Sequence, residues 1–262
     1  MASQIVKRWR LVQTGLSFAV FGVVVLWLGF VAIPISGLFA RDRESGELRA
    51  QRWVHRATRF FVGFMKGIGL LRLDLVGVER LRAGPPLLLV ANHPTLLDLV
   101  MIASLMPQLD CIVSPAWAEN PFLKRTVVSA GYCRGDNPGS VVRACLRHLQ
   151  AGRSVVVFPE GTRSPPGGLR DFQAGAAFVA LRSGQAIVPV LMRCEPATLF
   201  KGRSWYDVPA ERLHMTVRVG EPVTPQLVRY RGVTLPEAAR RLTAELREVF
   251  LKGLDIADVG TA

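Results

Sequence analysis

The chain reads as an α/β protein: a mixed sheet flanked by helices, preceded by an N-terminal membrane helix or helical hairpin. Three observations predict this. Short apolar runs alternate with segments of helical spacing, the pattern of strands joined by helices. Leu11 to Ala40 holds no charged residue. Two strings rich in ionisable groups, Asn92 to Asp98 and Phe158 to Ser164, each follow an apolar run, so each sits at a strand's carboxyl end, where open α/β sheets bind ligands.

The N-terminal segment comes first. Thirty helical residues reach about 45 Å, more than the roughly 30 Å of a bilayer's hydrocarbon core. Pro34 is expected to end or kink that helix, leaving Leu11 to Ile33 as a membrane-length segment. Gly15, Gly22 and Gly29 recur every seventh residue and share a face, which suits either close helix packing or the ordinary abundance of glycine in membrane helices. A signal peptide is the rival reading, since Lys7, Arg8 and Arg10 precede the run. The run exceeds an h-region and Leu38-Phe39-Ala40 is a poor cleavage site, which favours a retained anchor. Gly46 to Leu71 interleaves arginines with Trp53, Phe60, Phe61 and Phe64, fitting an interfacial helix or an amphipathic helix packed on its own domain. Residues 1–71 thus read as anchor and interfacial helix, and 72–262 as the globular domain.

Strands are expected at Arg72–Val76, Leu87–Val90, Cys111–Ser114, Val155–Phe158, Ile187–Met192 and Met215–Val219, with a turn ending at Pro85-Pro86 between the first two. Helices are expected at Thr95–Leu105, at Gly139–Gln150 stopping before Gly152, at Ala174–Arg182 stopping at Gly184, and at Pro236–Leu251. The tail after Leu254 reads as loosely held.

Composition narrows the partners. The formal net charge is +13, and +8 of it falls in the first 86 residues, beside the apolar segment. A basic excess there suits an anionic leaflet, and no nucleic-acid motif accompanies it, so membrane lipids are the expected partner and nucleic acid is not. The four cysteines form no C-x-x-C pair and no cluster with histidine in sequence, so neither a zinc site nor a disulfide framework is expected; free thiols in a reducing compartment are.

The chemistry sits in the two strings. His93 has a carboxylate five residues on, at Asp98, which can bond one imidazole nitrogen and leave the other to take a proton. Thr95-x-x-Asp98 also resembles a capping box, in which Asp98 ties down a helix start whose free amides are candidates to hold an oxyanion. Glu160 and Arg163 flank a tight turn in which Gly161 allows close backbone approach and Arg163 can fork onto a phosphate; an exposed surface ion pair is the bland alternative.

Together the strings resemble the glycerolipid acyltransferase family typified by 1-acylglycerol-3-phosphate acyltransferase, whose blocks N-H-x-x-x-x-D and F-P-E-G-T-R stand here intact and in order, with Ile187-Val188-Pro189-Val190 as the later V-P-V block. The resemblance implies that His93 is a general base oriented by Asp98. It implies that Glu160, Gly161, Thr162 and Arg163 bind the acceptor. The donor would be acyl-CoA or acyl carrier protein as co-substrate, with no cofactor and no metal. For the family's glycerophosphate-contacting arginine, the stretch Lys124 to Asp136 offers Arg125 or Arg134, and Phe172-Gln173-Ala174-Gly175 is neutral where many members are basic. Cys194 to Pro209 resembles a subgroup tied to specialised lipid or aryl-polyene pathways. The implied activity is acyl transfer to a lipid hydroxyl, with 1-acylglycerol-3-phosphate first and an aryl-polyene or ornithine-type lipid second. The catalytic domain would face the cytoplasm from the inner membrane. A non-catalytic lipid-binding scaffold is the alternative class.

Overall fold

In the computed structural model, residues 2–82, 84, 86–225 and 232–256 are described. The chain opens with α1 (Ala2–Trp27), a π-helical turn at Leu28–Ala32, α2 (Ile33–Gly37) and α3 (Arg43–Gly67). The sheet strands are β1 (Leu71–Val76), β2 (Leu88–Ala91), β3 (Asp110–Val113), β4 (Cys133–Arg134), β5 (Val155–Val157), β6 (Ile187–Glu195) and β7 (Leu213–Val219). Between and after them come α4 (Asp98–Leu105), α5 (Pro115–Ala118), α6 (Lys124–Ser129), α7 (Pro138–Gln150), α8 (Gly175–Ser183) and α9 (Leu235–Leu254). Pro85 and the tail from residue 257, both part of the sequence expectations, lie outside the described residues.

The strand order is β1-β7-β6-β2-β5-β3-β4. From β6 to β4 the strands run parallel, while β7 is antiparallel to β6 and carries β1 parallel to itself, so the sheet is mixed. The central strands are apolar throughout because both faces are covered. Leu89, Ala91 and Val156 pack toward α3 and α4 with Phe61, Met65 and Met101. Leu88, Val90 and Val155 point the other way, onto α7, α8 and α9 with Leu149, Val179 and Leu246. This two-residue alternation makes a three-layer sandwich. Gly184 ends α8 in the left-handed conformation at φ 69°, which a residue without Cβ adopts freely. The six expected strands form within a residue or two of the bounds read from sequence, apart from β6, which runs on to Glu195; β4, a two-residue edge strand, has too short a run to signal itself.

Three N-terminal readings that the sequence left open are decided. Pro34 does not stop the helix: the π turn just before it lets the Ile33 N–H reach back five residues to the Leu28 carbonyl, and the proline enters at the start of α2. The reversal comes later, where the Asp42 side chain caps α3 in a box with Ser45. Second, α3 is a core helix, since Phe61, Val62 and Met65 are buried against the sheet. Third, the glycine stripe is not a continuous seam: Gly29 abuts α6, yet around Gly22 the space is open. α1 itself is docked at several points. Arg10 donates to the Gly69 carbonyl at 2.7 Å, Gln13 donates to the Ile68 carbonyl, and Phe21 meets Phe61 with ring centroids 5.1 Å apart.

Candidate active site

β2 and β5 are neighbours in the sheet although a long excursion separates them in sequence, so the loops leaving their carboxyl ends lie side by side. The first loop carries His93 and the second Glu160 to Ser164. Asn92 fixes the root of the first loop: its side chain donates to the Met192 carbonyl at 2.8 Å and accepts from the Met192 N–H at 2.7 Å, tying it to β6.

His93 Nδ1 lies 2.7 Å from Asp98 Oδ2. With Nδ1–H donating to the carboxylate, Nε2 is the nitrogen left to accept a proton. The ring lies 4.6 Å from the Phe158 ring, which limits its swing. Asp98 is fully buried. It accepts from the Thr95 N–H at 2.7 Å and from the Thr95 hydroxyl at 3.1 Å. Burial pushes its carboxyl up from the usual range, and the His93 and Thr95 hydrogen bonds pull back. The capping box is half made. Asp98 reaches back to Thr95, but the Thr95 hydroxyl accepts from the Leu97 N–H at 2.9 Å and the helix begins at Asp98. The Thr95 and Leu97 amides are therefore spoken for, and neither is the free oxyanion donor expected from the sequence.

Glu160 works inside the protein. It is 5% exposed, and its Oε1 accepts from the His93 N–H at 3.1 Å and the Ser164 hydroxyl at 2.6 Å while Oε2 accepts from the Arg170 N–H at 2.9 Å. The Ser164 N–H closes the stitch by donating to the His93 carbonyl at 2.7 Å. The surface ion pair with Arg163, the bland alternative, is not among these contacts, and the Glu160 carboxylate that the resemblance assigned to acceptor binding is taken up by the protein's own donors. Arg163 instead donates to the Leu199 carbonyl at 2.6 Å. Gly161 stands at φ +66°, a conformation that favours glycine, and a Cβ there would push the Gln173 amide aside. Thr162, beside it, is partly exposed at the rim of this turn.

The two outlying arginines are not brought here. Arg125, in α6, lies with its guanidinium 4.6 Å from the Phe30 ring centroid. Arg134, on β4, is paired with Glu119 at 3.0 Å and Asp136 at 2.9 Å, three strands away from β2. Sequence reasoning passed over Asn92, Ser164 and Arg170. The first two stood inside the strings, where a polar residue beside a catalytic one was the available signal.

An apolar cavity of about 270 Å³ adjoins the first loop, lined by its Leu96 and Leu97 and by Phe18, Phe61, Val100 and Leu199. The loop that carries the dyad thus borders a room suited to hydrocarbon.

The acyltransferase family model matches residues 72–193, the span holding both loops and the sheet's central strands. Over that span the chain is similar to the acyltransferase family. The chloroplastic 1-acyl-sn-glycerol-3-phosphate acyltransferase of Arabidopsis thaliana is 32% identical over 127 residues, 46% of this chain and 36% of that one. The 1-acyl-sn-glycerol-3-phosphate acyltransferase of Helicobacter pylori is 28% identical over 181 residues, 66% of this chain and 71% of the relative. The alpha form from Ovis aries is 25% identical over 184 residues, 58% of its length. The chain thus spans only about a third of the first of these relatives and over half of the others. The crystal structure of the 1-acyl-sn-glycerophosphate acyltransferase from Thermotoga maritima superposes on this chain with a TM-score of 0.73, 20% identity and coverage of 97% and 99% of the two chains, the same fold.

Proposed function

We propose that the protein transfers an acyl group from acyl-CoA or acyl carrier protein to the free hydroxyl of 1-acylglycerol-3-phosphate. The observation that carries this reading is the 2.7 Å contact between His93 and buried Asp98, on a loop whose Leu96 and Leu97 line an apolar cavity. The acceptor hydroxyl gives its proton to His93 Nε2 as its oxygen attacks the thioester carbon. The tetrahedral intermediate then collapses, the C–S bond breaks, and the imidazolium returns the proton to the departing thiolate. Asp98 holds the tautomer and stabilises the charged ring. Glu160 positions the His93 backbone, and Thr162 and Arg163 form the rim on the acceptor's polar side.

The protein's place is at a membrane surface. Ile5, Trp9, Val12, Leu16, Val23 and Trp27 present an outward apolar face along α1. The described helix from Gln4 to Gly37 is long and apolar enough to cross a membrane. Yet Arg10 near its start and the turn into α3 at its end are both held against the same folded domain, which supports a helix entering one leaflet and leaving on the same, cytoplasmic side. An N-terminal tag on such a protein stays open to protease from the cytoplasmic side of sealed vesicles; protection of the tag sinks this topology.

The deciding assay follows thioester loss and acylated lipid by mass spectrometry with wild type and His93→Ala, using lysophosphatidate as acceptor. Transfer that depends on His93 supports the reading. Transfer to an aryl-polyene or ornithine-type lipid alone moves the acceptor, and full activity in His93→Ala overturns the mechanism.

A further inference from the structure

We infer that Cys133 is a reactive thiol, activated by His148 and Asp110, and that this array is a modification site for hydroperoxides and small electrophiles. Nothing in it depends on the acyl-transfer reading.

The three side chains come from three elements. Cys133 Sγ, on β4, lies 3.4 Å from His148 Nε2 at the end of α7. His148 Nδ1 lies 3.0 Å from Asp110 Oδ2 on β3. Asp110 is fully buried and firmly held: Arg153 donates to both its oxygens, at 2.7 and 2.6 Å, and Gln51 donates to Oδ1 at 2.9 Å. Its carboxylate therefore orients the ring with Nδ1–H inward and Nε2 on the sulfur. A nucleophile, an imidazole within hydrogen-bond reach and a third group orienting it are what thiol activation requires. A metal site is a poor account of the same residues, because Asp110 and Cys133 address opposite nitrogens of one ring and do not converge on a common point.

The electrostatics agree. Asp110 first, then Cys133, hold the His148 imidazole up at about 9, so the ring is charged at neutral pH and its Nε2–H faces the sulfur. Other groups at this locus are Glu47 from α3, Arg153 from the segment before β5, Tyr132 and Arg134 beside the cysteine, Cys111 on β3 and Cys145 on α7. The remaining cysteines have no such help. Burial raises Cys111 well above its ordinary value and pushes Cys145 and Cys194 up to about 12.

Access is through a cleft of about 640 Å³ at the β4 edge, lined by Cys133, His148, Arg43, Arg134 and Arg147. Cys133 itself is only 9% exposed, which admits small reagents and excludes large ones. With hydrogen peroxide the balance is simple. The thiolate attacks one peroxide oxygen, the O–O bond breaks, and sulfur is oxidised to the sulfenic acid while the peroxide is reduced. The departing hydroxide takes the Nε2 proton of His148 and leaves as water.

The test uses full-length protein in detergent, wild type beside His148→Gln and His93→Ala, treated with peroxide plus dimedone or with iodoacetamide and read by peptide mass spectrometry. Expected at pH 7 is labelling of Cys133 at least tenfold faster than the other three cysteines, lost in His148→Gln and retained in His93→Ala. Equal labelling of all four cysteines in the wild type, or undiminished Cys133 labelling in folded His148→Gln, overturns the proposal. Should His148→Gln unfold, the wild-type pH profile decides. An alkylation rate flat from pH 6.5 to 8 supports an imidazolium-paired thiolate, and a rate rising tenfold per pH unit overturns it.

Discussion

Two histidines in this protein each stand against a fully buried aspartate, His93 on Asp98 at 2.7 Å and His148 on Asp110 at 3.0 Å. The pairs differ in what surrounds the carboxylate and in what the far nitrogen meets. Asp98 has, besides His93, only the neutral amide and hydroxyl of Thr95. Asp110 is also forked by the charged Arg153, which is itself bound to Glu47 at 2.7 Å. The far nitrogen of His93 is left for a substrate beside an apolar cavity; that of His148 abuts a sulfur in a charged cleft. A histidine–aspartate pair is therefore not a function in itself. Its neighbours decide whether the imidazole passes a proton, holds a charge or activates a thiol.

The comparison breaks most sharply at His93. Its replacement by alanine is expected to lower kcat by about 10³-fold, the scale of a lost general base, with no loss of melting temperature. Equal damage to stability and to rate, measured by calorimetry beside the acylation assay, would erase the distinction between the pairs. Asp110→Ala should do the reverse. It strands Arg153 and His148, costs about 3–5 kcal/mol in urea unfolding, and leaves kcat per folded molecule nearly unchanged.

His148 adds a pH signature of its own. Its folded value is raised to about 9 from 6.5, so the stability it contributes is fully present below pH 6.5 and is lost as pH rises through 9. The shift corresponds to roughly 3 kcal/mol. Unfolding midpoints from pH 6 to 10 should fall over that window in the wild type and stay flat in His148→Phe. The smallest expected effect belongs to Glu160→Gln. The amide oxygen still accepts from His93 and Ser164, but its nitrogen cannot accept from the Arg170 amide. A kcat loss of about tenfold with unchanged KM fits a positioning residue, about 1.4 kcal/mol; a rise in KM alone would instead mean that Glu160 touches the acceptor.

How legible all this was in the sequence depended on range. Val155 to Val157 and Ile187 to Met192 announced themselves, because a strand covered on both faces is a bare apolar run. His93 and Asp98 were legible because five residues of loop carry the whole contact. Asp110, His148 and Cys133 were not: their meeting depends on β3, β4 and α7 being assembled, and no local spacing encodes it. The same holds for Glu160, whose charge suggested a surface contact until the neighbouring loop supplied its donors. Pro34 misled for a local reason, since a π turn relieves what an α-helical turn could not.

The order of strands has a consequence for how the protein is made. β2, in the middle of the sheet and wholly buried, pairs with β5 and β6 only, and the His93–Glu160 contact spans 67 residues. During synthesis β2 leaves the ribosome long before either neighbour exists, with two open edges and an apolar face on each side. It must be shielded by something other than its own sheet while the excursion to β5 is translated, and the active site cannot close before that strand and its loop are made.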